Sequence, residues 1–164
     1  MSVINLEAVL LEALEDERKA EATYAAVIER FGEVMPFINI INAERRHASA
    51  IERQMVRLGF TIPANCWAGK GVAPATLAEA CSMAIDAEIE NIALYDRLLP
   101  EIADDVVRQV LQNLQDASRD NHLPAFRRCL EREEGRDGSG IGRAGRGGPG
   151  GRGHGRGRGR GCRS

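Results

Sequence analysis

Four segments of the chain repeat apolar residues at the three- and four-residue spacing of one helical face, and this pattern limits the folds available. The segments cover approximately residues 5–31, 36–58, 76–99 and 104–134, with glycine or proline between them. Period-two alternation and clusters of β-branched residues, which are typical of strands, are scarce. The pattern therefore predicts an all-α protein with four helices.

The connections between these helices predict how they pack. Short links join the first helix to the second and the third to the fourth, which is typical of antiparallel hairpins. A longer segment, residues 60–75, joins the two hairpins and contains the only tryptophan, Trp67. Pro124 lies inside the fourth segment and predicts a kink or a break there. We expect residues 1–134 to form an antiparallel four-helix bundle of two αα-hairpins.

Residues 135–164 differ from the bundle in composition and charge. They hold 14 of the 18 glycines, eight arginines and one acidic residue, whereas residues 1–134 carry 23 acidic and 14 basic side chains. Glycine makes folding entropically costly and the arginines repel one another, so a disordered basic C-terminal tail is predicted. This composition resembles RGG segments that bind nucleic acid. The partner would be nucleic acid or another anionic molecule, and the alternative is a solvated tail attracted to its own acidic bundle.

Other classes of protein are disfavoured by the same sequence. No apolar run approaches the roughly 20 residues that span a bilayer, and the N-terminal segment lacks the basic residues of a secretory signal. The four cysteines are widely spaced and form no Cys-x-x-Cys pair. This spacing argues against a zinc ribbon or a disulfide scaffold and for a reducing compartment. We expect a cytoplasmic protein with no membrane partner.

Each apolar stripe is interrupted near its middle by a carboxylate or an imidazole. These residues are Glu17, Glu44 with His47, Glu88, and His122. Buried carboxylates are costly unless cations, raised pKa values or salt bridges compensate them. Glu44 and His47 form a Glu-x-x-His motif, which places both on one helical face. A glutamate from each of two helices plus Glu-x-x-His from the other two builds di-iron and di-manganese centres, so we predict that the five residues bind metal.

A faint internal repeat supports this prediction. Adding 71 carries Glu17 to Glu88 and Tyr24 to Tyr95, and adding 75 carries His47 to His122. The two hairpins therefore look like copies of one ancestral hairpin. Around the ligands we expect three further groups: the hydroxyls of two core tyrosines, Ser118 on the fourth stripe, and Arg119. The full set is Tyr24, Tyr95, Ser118 and Arg119.

Arg119 stands three residues before His122, where the symmetric pattern would have a glutamate. If Arg119 points inward, its charge and the three glutamates balance one divalent ion and leave an excess with two. We therefore expect one tightly held ion or an asymmetric pair. Arg119→Glu should then raise the stoichiometry from about one ion towards two. The alternative is an empty polar layer in which Arg119 neutralises the glutamates.

At these positions the sequence resembles the ferritin-like superfamily, in particular the rubrerythrin-related single-domain proteins of uncharacterised function. The resemblance covers roughly residues 5–132. It is carried by the stretches Ala20-Glu-Ala-Thr-Tyr24, Phe37-Ile-Asn-Ile-Ile-Asn-Ala-Glu44, Ala87-Glu-Ile-Glu-Asn-Ile-Ala-Leu-Tyr-Asp96 and Asn121-His-Leu-Pro-Ala-Phe126. It implies a ferritin-like antiparallel four-helix bundle, a metal centre between the helices and often a homodimer. Rubrerythrins proper add a rubredoxin domain with paired cysteines, which this sequence lacks.

Histidine and carboxylate ligands suit iron or manganese, with zinc as an alternative. One or two ions would be bound. The expected function is that of a metal-binding ferritin-like protein, and as an enzyme it would be an oxidoreductase that acts on peroxide or oxygen with an external electron donor. The rival is a metal-free helical interaction module that uses its acidic surface or its basic tail. The sequence assigns no catalytic residue.

Overall fold

The computed structural model describes residues 5–138, which form an all-α bundle with no strand in that range. Its helices are α1 (Leu6–Phe31), α2 (Phe37–Arg57), α3 (Leu77–Leu98), α4 (Asp105–Ala117) and α5 (Leu123–Gly138). A five-residue π-helical turn, Ser118–His122, joins α4 to α5, so the two together form the fourth helix of the bundle. The predicted four-helix bundle of two hairpins is confirmed.

Local sequence signals explain where these helices begin and end. The Asn5 side chain accepts hydrogen bonds from two backbone amides of the first turn of α1, and Gly32, with φ of 85°, ends that helix. Thr76 and Glu79 form a capping box at the start of α3. Asp104 accepts a hydrogen bond from the Val107 amide and so caps α4. The bundle is therefore assembled from helices whose ends are specified locally.

Two apolar clusters fill the bundle, one on each side of a polar layer. The first includes Leu10, Leu14, Ile51, Met55 and Leu111. The second includes Val27, Phe37, Ile40, Ala84 and Phe126. Helix α1 packs along α2, and α3 packs along α5, as expected for two antiparallel hairpins. The polar residues that interrupt the stripes lie between the two clusters and are largely buried.

The long connection between the hairpins lies against α1. The buried Arg18 guanidinium donates hydrogen bonds to the carbonyl of Pro63 and to the Glu52 carboxylate, at 3.0 and 2.9 Å. The Trp67 indole donates to Glu15 at 2.8 Å. At Gly71 a Cβ atom would lie 1.9 Å from the carbonyl oxygen of Ala22, so only glycine permits this approach. The connection is thereby held along the bundle as a fixed segment.

The fourth helix departs from regular geometry just before Pro124. The expected kink or break takes the form of the π-helical turn, in which the Leu123 amide donates to the Ser118 carbonyl five residues earlier. Such turns add one residue within a helix and change which side chains share a face. The helix then continues to Gly138, four residues past the predicted boundary at Glu134. The rest of the predicted basic tail lies outside the described residues.

One expectation about the cysteines is wrong. Cys81 on α3 and Cys129 on α5 are joined in a disulfide. The two residues are 48 positions apart, but antiparallel packing brings them together in the second apolar cluster. The argument from cysteine spacing for a reducing compartment therefore loses its support. Among residues 5–138, none of the helices has the length and apolar character needed to cross a membrane.

Candidate metal centre

The five ligands predicted from the sequence meet in the polar layer at the middle of the bundle. Glu17, Glu44, Glu88 and His122 are each at most 4% exposed, and His47 is largely buried. They form two groups of three residues, in each of which single donor atoms lie within 4.8 Å of one another. One group is Glu17, Glu44 and His47, and the other is Glu44, Glu88 and His122. Both groups are candidate metal-binding sites.

Glu44 belongs to both groups because its two oxygens face opposite ways. Its Oε2 lies 3.2 Å from His47 Nδ1, and its Oε1 lies 3.2 Å from His122 Nδ1. His47 Nδ1 is also 3.1 Å from Glu17 Oε2, while His122 Nδ1 is 3.5 Å from Glu88 Oε2. The imidazole rings are nearly parallel, with centroids 5.4 Å apart. One carboxylate therefore stands between two equivalent pairs of donors.

His122 provides a test of whether metal fits this arrangement. Its Nδ1 atom is buried and makes no hydrogen bond of acceptable geometry, although two carboxylate oxygens lie near it. A buried nitrogen without a hydrogen bond is costly. A cation among His122, Glu44 and Glu88 would accept the lone pair of the neutral imidazole and neutralise both carboxylates. The donor set therefore fits a metal ion.

The two tyrosines bond across the hairpins. Tyr24 of the first hairpin donates to Glu88 Oε1 of the second at 2.9 Å, and Tyr95 of the second donates to Glu17 Oε1 of the first at 2.6 Å. Burial raises the pKa of both hydroxyls well above the ordinary value, and the charges of these glutamates raise it further. Both tyrosines therefore stay protonated and act as hydrogen-bond donors that orient the carboxylates.

Arg119 does not lie beside the centre, and the expectation that it does is wrong. Its guanidinium is exposed and pairs with Asp116 at 2.7 Å and with Asp120 at 2.9 Å. The reason is the π-helical turn, which lengthens the turn preceding His122 by one residue. The buried residue one turn before His122 is Ser118, as its place on the fourth stripe predicted, and its hydroxyl donates to the Asn91 amide oxygen at 2.8 Å.

Two further residues at the centre were missed in the sequence. Asn91 is buried, and its amide donates to Asp16 Oδ2 at 2.7 Å and to Glu17 Oε1 at 3.3 Å. Asp16 is thus connected to Glu17 through a single side chain, that of Asn91. The available signal was the spacing of Asn91, three residues after Glu88 on the same helical face. Asp16 gave no such signal, because it follows Glu15 and precedes Glu17 in an acidic run.

The pKa values of several side chains in the polar layer differ strongly from their ordinary values. Burial, followed by the charge of Glu44, raises the pKa of Glu17 to about 7. Burial also raises the pKa of Asp16 to about 6, although the hydrogen bond from Asn91 opposes this. For the imidazoles, burial alone would lower the pKa, but the adjacent carboxylates outweigh it and raise His47 to about 9 and His122 to about 10. In the metal-free protein, the side chains of the polar layer therefore hold protons at neutral pH.

Four other acidic side chains near the centre in the sequence lie towards solvent. Glu21 pairs with Arg45 at 2.8 Å instead of reaching the centre. Asp86 and Glu90 are exposed on α3. Asp120 pairs with Arg119. None of these four carboxylates belongs to either group of metal-binding donors.

Comparison with solved structures finds the same fold in the crystal structure of hypothetical protein MJ0754 from Methanococcus jannaschii DSM 2661. The TM-score is 0.72 at 19% sequence identity, and the match covers 82% of this chain and 85% of that chain. At this identity the likeness concerns the fold alone. No model of a known protein family matches the sequence, and a search of curated proteins finds no match.

Proposed function

We propose that this protein is a ferritin-like metalloprotein that holds two iron or manganese ions and acts as an oxidoreductase on peroxide or oxygen, with an external electron donor. The observation that carries the proposal is the position of Glu44 between two groups of donors, each with one further glutamate and one histidine. Mixed carboxylate and imidazole donors in a helical bundle suit these metals. Zinc remains the alternative metal.

The charge balance favours two ions once Arg119 is outside the centre. Glu17, Glu44 and Glu88 supply three negative charges. Asp16, held through Asn91, supplies a fourth, since a pKa of about 6 leaves it mostly ionised at neutral pH. Four negative charges balance two divalent cations, and a buried site penalises any excess. This balance replaces the expectation of one tightly held ion or an asymmetric pair, which depended on an inward Arg119.

The residues around the donors have defined tasks in this proposal. Tyr24 and Tyr95 each fix one carboxylate oxygen, which leaves the other oxygen of Glu88 and of Glu17 facing a histidine. The apolar clusters above and below limit access of water. When bound, iron or manganese supplies one-electron redox chemistry, and the orientation of the ligands is the contribution of this chain.

Metal analysis tests the proposal. Protein purified without a histidine tag is stripped with a chelator, loaded anaerobically with ferrous or manganous ion, desalted and measured by mass spectrometry. We expect about two ions per chain and a higher melting temperature, because binding to the folded state stabilises it. Glu44→Gln should lose both ions because it removes the shared ligand. Glu29→Gln, an exposed carboxylate on α1, is the matched control and should load like the wild type.

Redox activity is tested on the loaded protein by adding one equivalent of hydrogen peroxide and following peroxide consumption and metal oxidation. Loss of peroxide that depends on loaded metal and is absent in Glu44→Gln supports the oxidoreductase. If the wild type retains negligible metal and its melting temperature does not change, the hypothesis of a metal-free interaction module is favoured. Retained zinc with no response to iron or manganese would contradict the redox part of the proposal.

A further inference from the structure

A cavity of about 260 Å³ lies between α1 and α3 and leads from the surface to the candidate metal centre. Its outer end is lined by the exposed charged residues Lys19, Asp86 and Glu90. Its inner end is lined by buried Tyr24 and Glu88, together with Glu44. The cavity is thus the path by which a molecule from solvent can reach the ligands of the second group.

The volume of this cavity exceeds what a diatomic or peroxide-sized substrate needs. One water occupies roughly 30 Å³ of liquid, and an apolar cavity of roughly 150 Å³ is large enough to bind benzene. Pockets for drug-sized ligands begin at roughly 300 Å³. The cavity therefore has the size for an organic molecule of about one ring with a substituent, and it is too small for a large organic cofactor.

The walls between the two ends are apolar. They are formed by Ala20 on α1 and by Met83, Ala84 and Ala87 on α3. Small alanine side chains at these facing positions leave space that larger residues would fill. Apolar walls with a few polar groups at one end are typical of sites for small organic molecules, where the walls bind the body and the polar groups fix its orientation.

The charges at the mouth of the cavity select against anions. Two carboxylates, Asp86 and Glu90, outnumber the one ammonium group, Lys19, at the mouth. The carboxylates at the inner end, Glu44 and Glu88, are balanced by cations when the centre is loaded. A carboxylate or phosphate would therefore meet net negative charge at the mouth, whereas an uncharged or cationic molecule would not be repelled there.

We propose that this cavity binds a small organic substrate that is uncharged or positively charged and has an apolar part of about the size of one aromatic ring. Its polar group lies at the end formed by Tyr24 and Glu88, and its apolar part lies between Ala20 and Ala87. The proposal rests on the proposed function, since a molecule so placed lies beside the metal centre. It extends that function to organic substrates.

Three probes of one shape and different charge test the cavity: benzyl alcohol, benzylamine and benzoate. Their binding is measured by ligand-detected magnetic resonance with metal-free protein, with zinc-loaded protein and with manganese-loaded protein. We expect saturable binding of the alcohol and the amine and at least tenfold weaker binding of benzoate. Paramagnetic manganese should strongly increase the relaxation rates of bound probe protons, whereas diamagnetic zinc should not. This readout reports distance from the centre and requires no turnover.

Variants that fill the cavity locate the binding. Ala87→Phe and Thr23→Leu add bulk to opposite walls, and each should weaken binding of benzyl alcohol at least tenfold. Ala25→Phe, at an exposed position of α1 that does not line this cavity, is the matched control and should bind normally. Melting temperatures identify any variant that fails to fold, and the second wall variant then provides the comparison.

Absence of binding by both benzyl alcohol and benzylamine would overturn the proposal, as would equal binding by benzoate or binding insensitive to both wall variants. Binding without enhanced relaxation in manganese-loaded protein would place the probe away from the centre and would also overturn it. If the protein retains no metal, the proposed function fails and the substrate role fails with it. Binding to metal-free protein, tested with the same variants, still shows separately whether the cavity takes organic molecules.

Discussion

At the residue scale, Glu44 places one oxygen near each of the two histidines, whereas the symmetric pattern has a separate glutamate for each histidine. Each of its oxygens lies 3.2 Å from a different histidine nitrogen. A carboxylate can bridge two cations, so one Glu-x-x-His motif, with the lone His122, provides donors for both groups. The missing sixth ligand therefore does not by itself prevent a two-ion centre.

Arg119→Glu gives the sharpest test at this scale, because sequence and structure predict opposite results. The Arg119 side chain points to solvent and pairs with Asp116 and Asp120. We therefore expect Arg119→Glu to leave the number of bound ions unchanged, as measured by anaerobic titration with ferrous or manganous ion. Arg119→Ala should behave in the same way. A gain of one ion in Arg119→Glu would show that this position faces the centre in solution.

Asp16→Asn tests the charge balance of the centre. The substitution removes one negative charge next to Glu17 and keeps a side chain of the same size beside Asn91. We expect the first ion to bind normally and the second to bind at least tenfold more weakly, since one excess positive charge remains in a buried site. The measurement is the same anaerobic titration, with Glu29→Gln as the control for loss of a remote charge. Equal affinity for both ions in Asp16→Asn would contradict the proposed charge balance.

At the element scale, the π-helical turn Ser118–His122 decides which residues of the fourth helix face the centre. A regular α-helix would place both Ser118 and Arg119 near the face of His122, whereas the wider turn keeps Ser118 there and turns Arg119 outward. The turn also precedes Pro124, whose ring disfavours regular helical hydrogen bonding just upstream. A single local irregularity thus changes the composition of the site.

The connection between the hairpins provides a second prediction at this scale. Gly71→Ala places a Cβ atom against the Ala22 carbonyl, so the connection must move away from α1. We expect a loss of about 3 kcal/mol in the free energy of unfolding and faster proteolysis within residues 60–75. Gly135→Ala is the matched control, because it is an exposed helical position with open space around it. That change should stabilise the protein by roughly 0.5 to 1 kcal/mol. Equal unfolding free energies for the two variants would show that the close approach at Gly71 is absent.

At the scale of the whole molecule, the centre connects all four helices of the bundle. Its donors come from α1, α2, α3 and the π-helical turn, and the tyrosines add hydrogen bonds between the hairpins. The two apolar clusters lie on either side of these polar contacts. Metal binding and global stability are therefore expected to be thermodynamically coupled.

The raised pKa values of the histidines predict that metal binding releases protons. In the metal-free protein the pKa of His47 is about 9 and that of His122 is about 10, so both imidazoles are protonated at pH 7. A metal ion requires the neutral ring, so loading should release about two protons from the histidines, with a further fraction from Glu17. Calorimetry in buffers of different ionisation enthalpy measures this release. Apparent affinity should rise with pH up to about pH 9 to 10.

The stability of the metal-free protein should show the matching trend. Histidine pKa values raised on folding stabilise the folded state fully below the unfolded value of about 6.5, and this contribution is lost as pH rises through about 9 to 10. Urea unfolding at pH 7 and at pH 10 measures the loss. Between these two pH values the metal-loaded protein should lose less of its free energy of unfolding, because its metal-bound histidines carry no titrating proton. Equal losses in the two forms, or metal binding without proton release, would contradict protonated histidines in the metal-free centre.

The number of bundle helices, most of their ends and the identity of the five candidate ligands follow from the sequence alone. These features depend on helical periodicity and on caps such as Asn5 and Gly32, which act over a few neighbouring residues. The tertiary structure alone decided the outward direction of Arg119, the disulfide between Cys81 and Cys129, and the hydrogen bond between Asp16 and Asn91. The disulfide and the hydrogen bond join residues 48 and 75 positions apart. Pro124 predicts an irregularity in the fourth helix but not its form, and the π-helical form decides the direction of Arg119. Contacts at such separations arise only when the hairpins pack.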